Sequence, residues 1–172
     1  MPSPAMGVNA ITIRSVTAED RSGILRINAR CRPAVAALDP RELERLLNLR
    51  AAHRVAVAGD GAVVGYMLVF DARSAYDGEE FQYFLSRLKE PFLYVDQIAV
   101  DPDRSRAGVG KALYGSLLEL ARSQQINCLC CEVNTTPPNP VSLDFHRTLG
   151  FSIVGNGDTL DGRRVAFLVR NA

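Results

Sequence analysis

The sequence predicts an α/β (α+β) fold: a mixed, mostly antiparallel sheet flanked by helices. Three observations predict it. Apolar runs of strand length are interleaved with amphipathic runs of helix length. The stretch from Tyr94 to Val133 reads as β-loop-α-β, long enough for a right-handed crossover between parallel strands. Gly59-Asp60-Gly61 separates two apolar runs, and its glycines tolerate the positive φ of a tight hairpin, which makes that pair antiparallel.

In chain order, residues 1–9 contain Pro2 and Pro4 and no periodicity, so they read as a flexible tail before one domain of residues 10–172. Ile11 to Arg14 alternates as a half-buried strand does. Thr17 and Asp20 have the spacing of a reciprocal helix cap, which opens a helix to Arg30 that Pro33 ends. A second helix starts near Pro40, carries Leu43, Leu46 and Leu47 on one side, and is expected to end near Ala52. Strands over 54–58 and 62–70 follow. Residues 71–92 are irregular and rich in aromatics and acids. They read either as a lid or substrate wall, or as an insertion whose helix, Glu79 to Lys89, buries its aromatics. A strand (94–100), a helix (110–124) and a strand (126–133) form the crossover unit. A short helix from Pro140 to Leu149 is closed by Gly150, and strands over 152–155 and 164–169 complete the chain.

Composition narrows the function. With 172 residues, one core is the expectation, and 47% hydrophobic against 23% charged residues is the balance of an ordinary globular domain. Twenty basic and nineteen acidic residues give a net charge of +1, so no overall field recruits nucleic acid or an anionic membrane. The lack of a signal-like start or a bilayer-length apolar run predicts a cytoplasmic protein. Cys128, Cys130 and Cys131 crowd one strand, where neighbours face opposite ways, so reduced thiols are expected. Neither His53 nor His146 has zinc-ligand spacing, so no metal is expected.

The strongest local signal lies between an apolar strand and an amphipathic helix: Asp101-Pro102-Asp103-Arg104-Ser105-Arg106-Ala107-Gly108-Val109-Gly110-Lys111. Glycines let a backbone approach an anion, and the first amides of a helix and its dipole favour negative charge at that end. Arg104, Arg106 and Lys111 concentrate positive charge there. A pyrophosphate suits such a loop. Gly108 and Gly110 are too close for a mononucleotide P-loop, and the third glycine of a dinucleotide loop is missing.

This loop, with Cys131-Glu132-Val133-Asn134, Asn139 and His146-Arg147-Thr148-Leu149-Gly150-Phe151 in order behind it, resembles the GNAT (Gcn5-related N-acetyltransferase) superfamily, over about residues 10–170. One departure is Ser105, where the family's loop carries Gln or Arg. The resemblance implies a GNAT acyl-CoA N-acyltransferase fold splayed between strands ending at Val100 and Val133. It implies an enzyme transferring an acetyl group from acetyl-CoA, as co-substrate, directly to an amine on a small molecule or peptide. By the same resemblance, Arg106, Ala107, Gly108, Val109, Gly110 and Lys111 hold the pyrophosphate. Ile98, Ala99 and Val100 pair with the pantetheine arm, and Asn134 and Asn139 touch the cofactor beyond the splay. Asp96 and Glu132 are the candidate bases. His146, standing where relatives carry a tyrosine, is the candidate acid for the leaving thiolate. Two alternatives stay open: a non-catalytic acyl-CoA-binding regulatory domain of the same fold, and a redox or metal protein built on the cysteine run. Exposed strand edges and the apolar last strand leave room for a homodimer.

Overall fold

The computed structural model describes residues 10–105 and 107–172. The tail of residues 1–9 and Arg106, with the expectations attached to them, lie outside the described residues. Seven strands, β1 (Ile11–Ser15), β2 (Arg54–Ala58), β3 (Val63–Asp71), β4 (Phe92–Val100), β5 (Cys128–Thr136), β6 (Ser152–Asp158) and β7 (Arg164–Asn171), form one sheet in the order β1-β2-β3-β4-β5-β7-β6. β4 and β5 pair in parallel, and every other neighbouring pair is antiparallel. The helices are α1 (Arg21–Cys31), α2 (Pro40–Leu47), α3 (Glu79–Arg87), α4 (Val109–Ser123) and α5 (Pro140–Thr148). Helix α4 makes the crossover that the parallel pair requires.

Strand alternation divides the core between two faces. On one, Leu113, Leu117 and Ala121 of α4 pack on Leu93, Leu129 and Leu168. On the other, Ile24, Leu43 and Phe81 bring α1, α2 and α3 onto Tyr66, Tyr94 and Phe167. Cys130 belongs to the second face and Cys131 to the first, and all four cysteines are free thiols.

Local differences from expectation have tertiary causes. The Thr17/Asp20 cap forms around a 3₁₀ turn, Ala18–Asp20, with Thr17 N donating to Asp20 at 2.7 Å. Helix α2, capped by Asp39 accepting from Glu42 N at 2.8 Å, stops at Leu47 rather than near Ala52. Ala51 and Ala52 are instead drawn onto the β3 edge, bridging Phe70 and donating to Val69 O. Strand β6 runs past its expected end because the hairpin ladder pairs Asn156, Gly157 and Asp158 with β7, and β7 runs on to Asn171 because Arg170 and Asn171 pair with Leu129 and Cys128 of β5. In residues 71–92 the structure contains the short helix: Phe81 and Phe84 of α3 are buried, Tyr76 stacks on Phe70 at 4.1 Å and Tyr83 on Phe167 at 3.5 Å.

Candidate active site

Strands β4 and β5 pair only over residues 92–95 and 128–131. Beyond that, β4 stays with β3 to Val100 and β5 with β7 to Thr136, so the two central strands part. The opening leads into a cavity of about 500 Å³ that reaches both faces of the sheet. Among the described residues the β5-facing edge of β4 from Asp96 onward has no strand partner, which leaves main-chain groups available for an extended ligand arm.

Asp96 owes its position to a β-bulge. On β3, Leu68 pairs with Gln97 and Val69 with Val95, so Asp96 is the extra residue without a partner. Alternation slips there: Asp96 and Gln97, though adjacent, both bond with groups on the α1–α3 face. Gln97 accepts from the Tyr66 hydroxyl at 2.7 Å and from Asn28 at 3.2 Å. Asp96 Oδ1 accepts from the Tyr76 hydroxyl at 2.8 Å.

Glu132 stands opposite on β5. The Tyr94 hydroxyl lies 2.7 Å from Glu132 Oε2 and 3.3 Å from Asp96 Oδ1, so one phenol bridges the two carboxylates. Burial pushes Asp96 up to about 6, with a further push from Glu80 against the pull of the tyrosines. Burial raises Glu132 well above the usual range, and the charges of Glu80 and Asp96 add to it. Glu80 itself pairs with Arg163 at 2.9 Å. Like charges withdrawn from water favour holding protons, which suits groups that must accept one near neutrality.

On the other face, His146 is buried in α5 and borders the same cavity. Its Nδ1 lies 2.7 Å from Ser142 O, which can only accept, so Nδ1 carries the hydrogen. Nε2 then accepts from the Tyr114 hydroxyl at 2.7 Å. Burial lowers the imidazole's pKa, so the neutral ring prevails.

The start of α4 is set by three glycines. Gly108 caps the helix in the left-handed region at φ 74°, where a side chain is strained. A Cβ on Gly65 would sit 2.8 Å from Val109, so only glycine lets α4 begin directly on β3; one on Gly110 would sit 3.0 Å from the Phe145 ring. Ala107, Gly108 and Lys111 are exposed at that tip, and Ala112 N, donating to Gly108 O, opens the internal bonding. The amides before it are the ones a helix leaves for an anion. Arg26 and Arg30 hold Asp101, at 2.9 and 2.6 Å, and so fasten the end of β4 to α1 beside this loop.

Residues 22–151 match the model of the acetyltransferase (GNAT) family. The chain belongs to that family. Solved structures with the same fold include the ribosomal-protein-S18-alanine N-acetyltransferase of Escherichia coli, at 18% identity and TM-score 0.71 over 94% of both chains. Ard1 of Thermoplasma volcanium is 22% identical with TM-score 0.72 over 95% of this chain and 98% of its own. Arabidopsis thaliana NAA60, crystallised with acetyl-CoA, is 13% identical with TM-score 0.73 over 94% and 98%. No curated protein matches. The fold and the enzyme class, a GNAT acetyltransferase, thus stand as expected from the sequence. Among the described residues, no helix is long and apolar enough to cross a membrane.

Of the sequence-predicted residues, the GNAT fold brings Asp96, Ile98, Glu132, Asn134, Asn139 and His146 to one cavity. Asn134 Oδ1 is held by Arg163 at 2.8 Å, and Asn139 Oδ1 caps α5 from Ser142 N at 3.3 Å. Ala99 and Val100 lie along the open part of β4, with Ala99 turned into the α1–α3 core. Of the acids in the irregular segment, Glu80 lines the cavity, Asp77 pairs with Arg45, and Glu79 accepts from Leu160 N. Sequence reasoning missed Tyr76, Tyr94, Tyr114 and Arg163. Each reads locally as a strand, helix or loop residue: Tyr76 and Tyr94 meet the acids at the bulge, Tyr114 meets His146 between α4 and α5, and Arg163 reaches Glu80 from the β6–β7 turn.

Proposed function

We propose that this chain acetylates a primary amine by direct transfer, with the amine entering from the α1–α3 face and acetyl-CoA lying along the β4 edge toward the α4 amides. The observation that carries this reading is the pair of carboxylates, Asp96 and Glu132, facing each other across the opening between two parted parallel strands. When bound, acetyl-CoA supplies the thioester carbonyl that the amine attacks. The residues suit it: the amides of Ala107 to Lys111 at the exposed tip of α4 for the pyrophosphate, the run of Ile98, Ala99 and Val100 past the β5 pairing for the pantetheine arm, and Asn134 and Asn139 beyond the splay. Asp96 or Glu132 removes the ammonium proton, since only the neutral amine has a lone pair to give. His146 delivers a proton toward the departing sulfur. In its resting tautomer Nε2 is an acceptor, so it must first take a proton up. Its lowered pKa opposes that uptake at neutral pH and confines it to more acid conditions.

The same observation at His146 favours a second reading, an acyl-CoA-binding regulatory domain without chemistry. Calorimetry with acetyl-CoA combined with thiol release over an amine panel separates the two. Binding with turnover that Asp96→Asn abolishes is the expected result. Binding without turnover on any amine would favour the regulatory domain, and no binding at all would remove both. The protein is placed in the cytoplasm under this reading, as a monomer or homodimer.

A further inference from the structure

The Tyr94 hydroxyl has one hydrogen and two carboxylate oxygens within reach, at 2.7 and 3.3 Å. The Tyr76 hydroxyl spends its only hydrogen on Asp96 Oδ1. If both acids were ionised, two hydroxyl hydrogens would serve two charges linked by a single oxygen atom, in a place largely removed from water. A proton on Glu132 Oε2 resolves this. It is donated to the Tyr94 oxygen, which frees the Tyr94 hydrogen for Asp96, so every contact joins a donor to an acceptor. Asp96 is the acid to leave ionised because two phenols reach it and one reaches Glu132, and a carboxylate gathers donors when charged.

We propose that Glu132 holds a proton on behalf of the pair and that Tyr94 transmits its influence, leaving Asp96 as the charged base that meets the acceptor as an ammonium. This deepens the transferase reading and rests on it for the identity of the reaction. The surroundings agree. From α3, Glu80 faces the pair but is committed to Arg163 at 2.9 Å, and Glu42 of α2 is committed to Arg45 at 2.8 Å. Arg163 also serves Asp161 and Asn134. Arg32, the other arginine bordering the cavity, is exposed, while Cys131 and His146 border it as neutral groups. Among the described residues no cation is hydrogen bonded to either acid, and Arg163 acts on Glu132 only through space, so one net negative charge is what a single ammonium neutralises.

Among the described residues Asp96 Oδ2 has no hydrogen-bond partner, and it is not sealed from solvent, so it is the oxygen that takes the proton. One N–H bond of the ammonium breaks and an O–H bond forms at Oδ2. The amine lone pair then makes the C–N bond as the C–S bond breaks. His146 protonates the sulfur and the second surplus amine proton makes good the one it gave, while Asp96 returns the first to water, so ammonium and thioester become amide, thiol and one solvent proton.

Infrared difference spectra of the unliganded protein across pH 5–9, in wild type, Glu132→Gln and Tyr94→Phe, test the proton directly. The expected result is one carboxyl C=O band that persists at neutral pH, disappears in Glu132→Gln and moves in Tyr94→Phe. With acetyl-CoA and a reactive amine, Glu132→Gln, whose amide donates as the protonated acid does, should lose far less kcat than Asp96→Asn, for which loss of a general base costs ~10²–10⁴-fold. A spectrum with no protonated carboxyl at neutral pH, or a band that survives Glu132→Gln, would overturn the proposal. So would a Glu132→Gln variant as inactive as Asp96→Asn. A band behaving as expected while no amine is acetylated would uphold the shared proton and count against the transferase reading alone.

Discussion

The two halves of the β4–β5 pair are built from the same strands and do opposite work. Over residues 92–95 and 128–131 the strands are hydrogen bonded, and Leu93, Tyr94 and Leu129 are fully buried between helices on both faces. Past the bulge at Asp96 the ladder is gone, and the same two strands present Asp96, Glu132 and Asn134 to a cavity. Buried apolar side chains anchor the divergence, so the acids can be placed in a poorly solvated gap that they would not occupy by themselves. Stability and chemistry are thus separable along a few residues of chain, and substitutions in each half should be felt in different measurements.

The largest effect belongs to the open half. Asp96→Asn should lower kcat by ~10²–10⁴-fold, with folding stability unchanged or improved, because the charge it removes is costly to bury. Steady-state rates beside urea denaturation check this, and an active Asp96→Asn enzyme would break the division. With Asp96 lifted to about 6 by burial, kcat/KM should fall tenfold per pH unit below about 6 as the base is protonated.

In the paired half, Leu129→Ala should cost about 2–5 kcal/mol by denaturant titration, yet leave kcat per folded molecule nearly unchanged. A comparable loss of kcat at full folding would show that the halves are coupled.

His53 sharpens the contrast from outside both halves. Its Nδ1 accepts from Val69 N at 2.9 Å, its Nε2 lies 3.2 Å from Leu46 O, and burial lowers it from 6.5 to about 4. The native state resists the proton that the unfolded chain accepts. Stability is therefore fully present above pH 6.5 and is lost as pH falls toward 4, by about 3 kcal/mol for this group. His53→Gln should flatten stability across that window while leaving the pH–rate profile in place.

The smallest effect is expected at the α4 loop. Gly108→Ala meets no neighbour, but its φ of 74° makes it strained by about 1–2 kcal/mol. Its signature is a modest fall in stability and in acetyl-CoA affinity by calorimetry, with kcat at saturation retained.

Much of this was legible in the sequence because it depends on local patterns. The crossover unit follows from apolar period and length, the Thr17/Asp20 cap and the proline starts of α2 and α5 from short-range chemistry, and the α4 loop from Gly108 and its basic neighbours. Two positions show where that reading thins. Gly110 reads as part of a phosphate loop, and the fold adds a packing reason for it, the Phe145 ring 3.0 Å from where a Cβ would be. His146 reads as the candidate acid for the leaving thiolate, and the fold gives both of its ring nitrogens partners.

The sequence by itself determined the family, the order of the elements and which strand ends face one another, since these follow from hydrophobic period, turn residues and ordered motifs. Only the tertiary structure decided which side chains share the site. An unpaired residue in the β3–β4 ladder turns Asp96 toward Tyr76 and Tyr94, and the parting of β4 from β5 sets Glu132 across from it. Register and strand divergence are properties of two chains lying side by side, and no pattern along one strand records them.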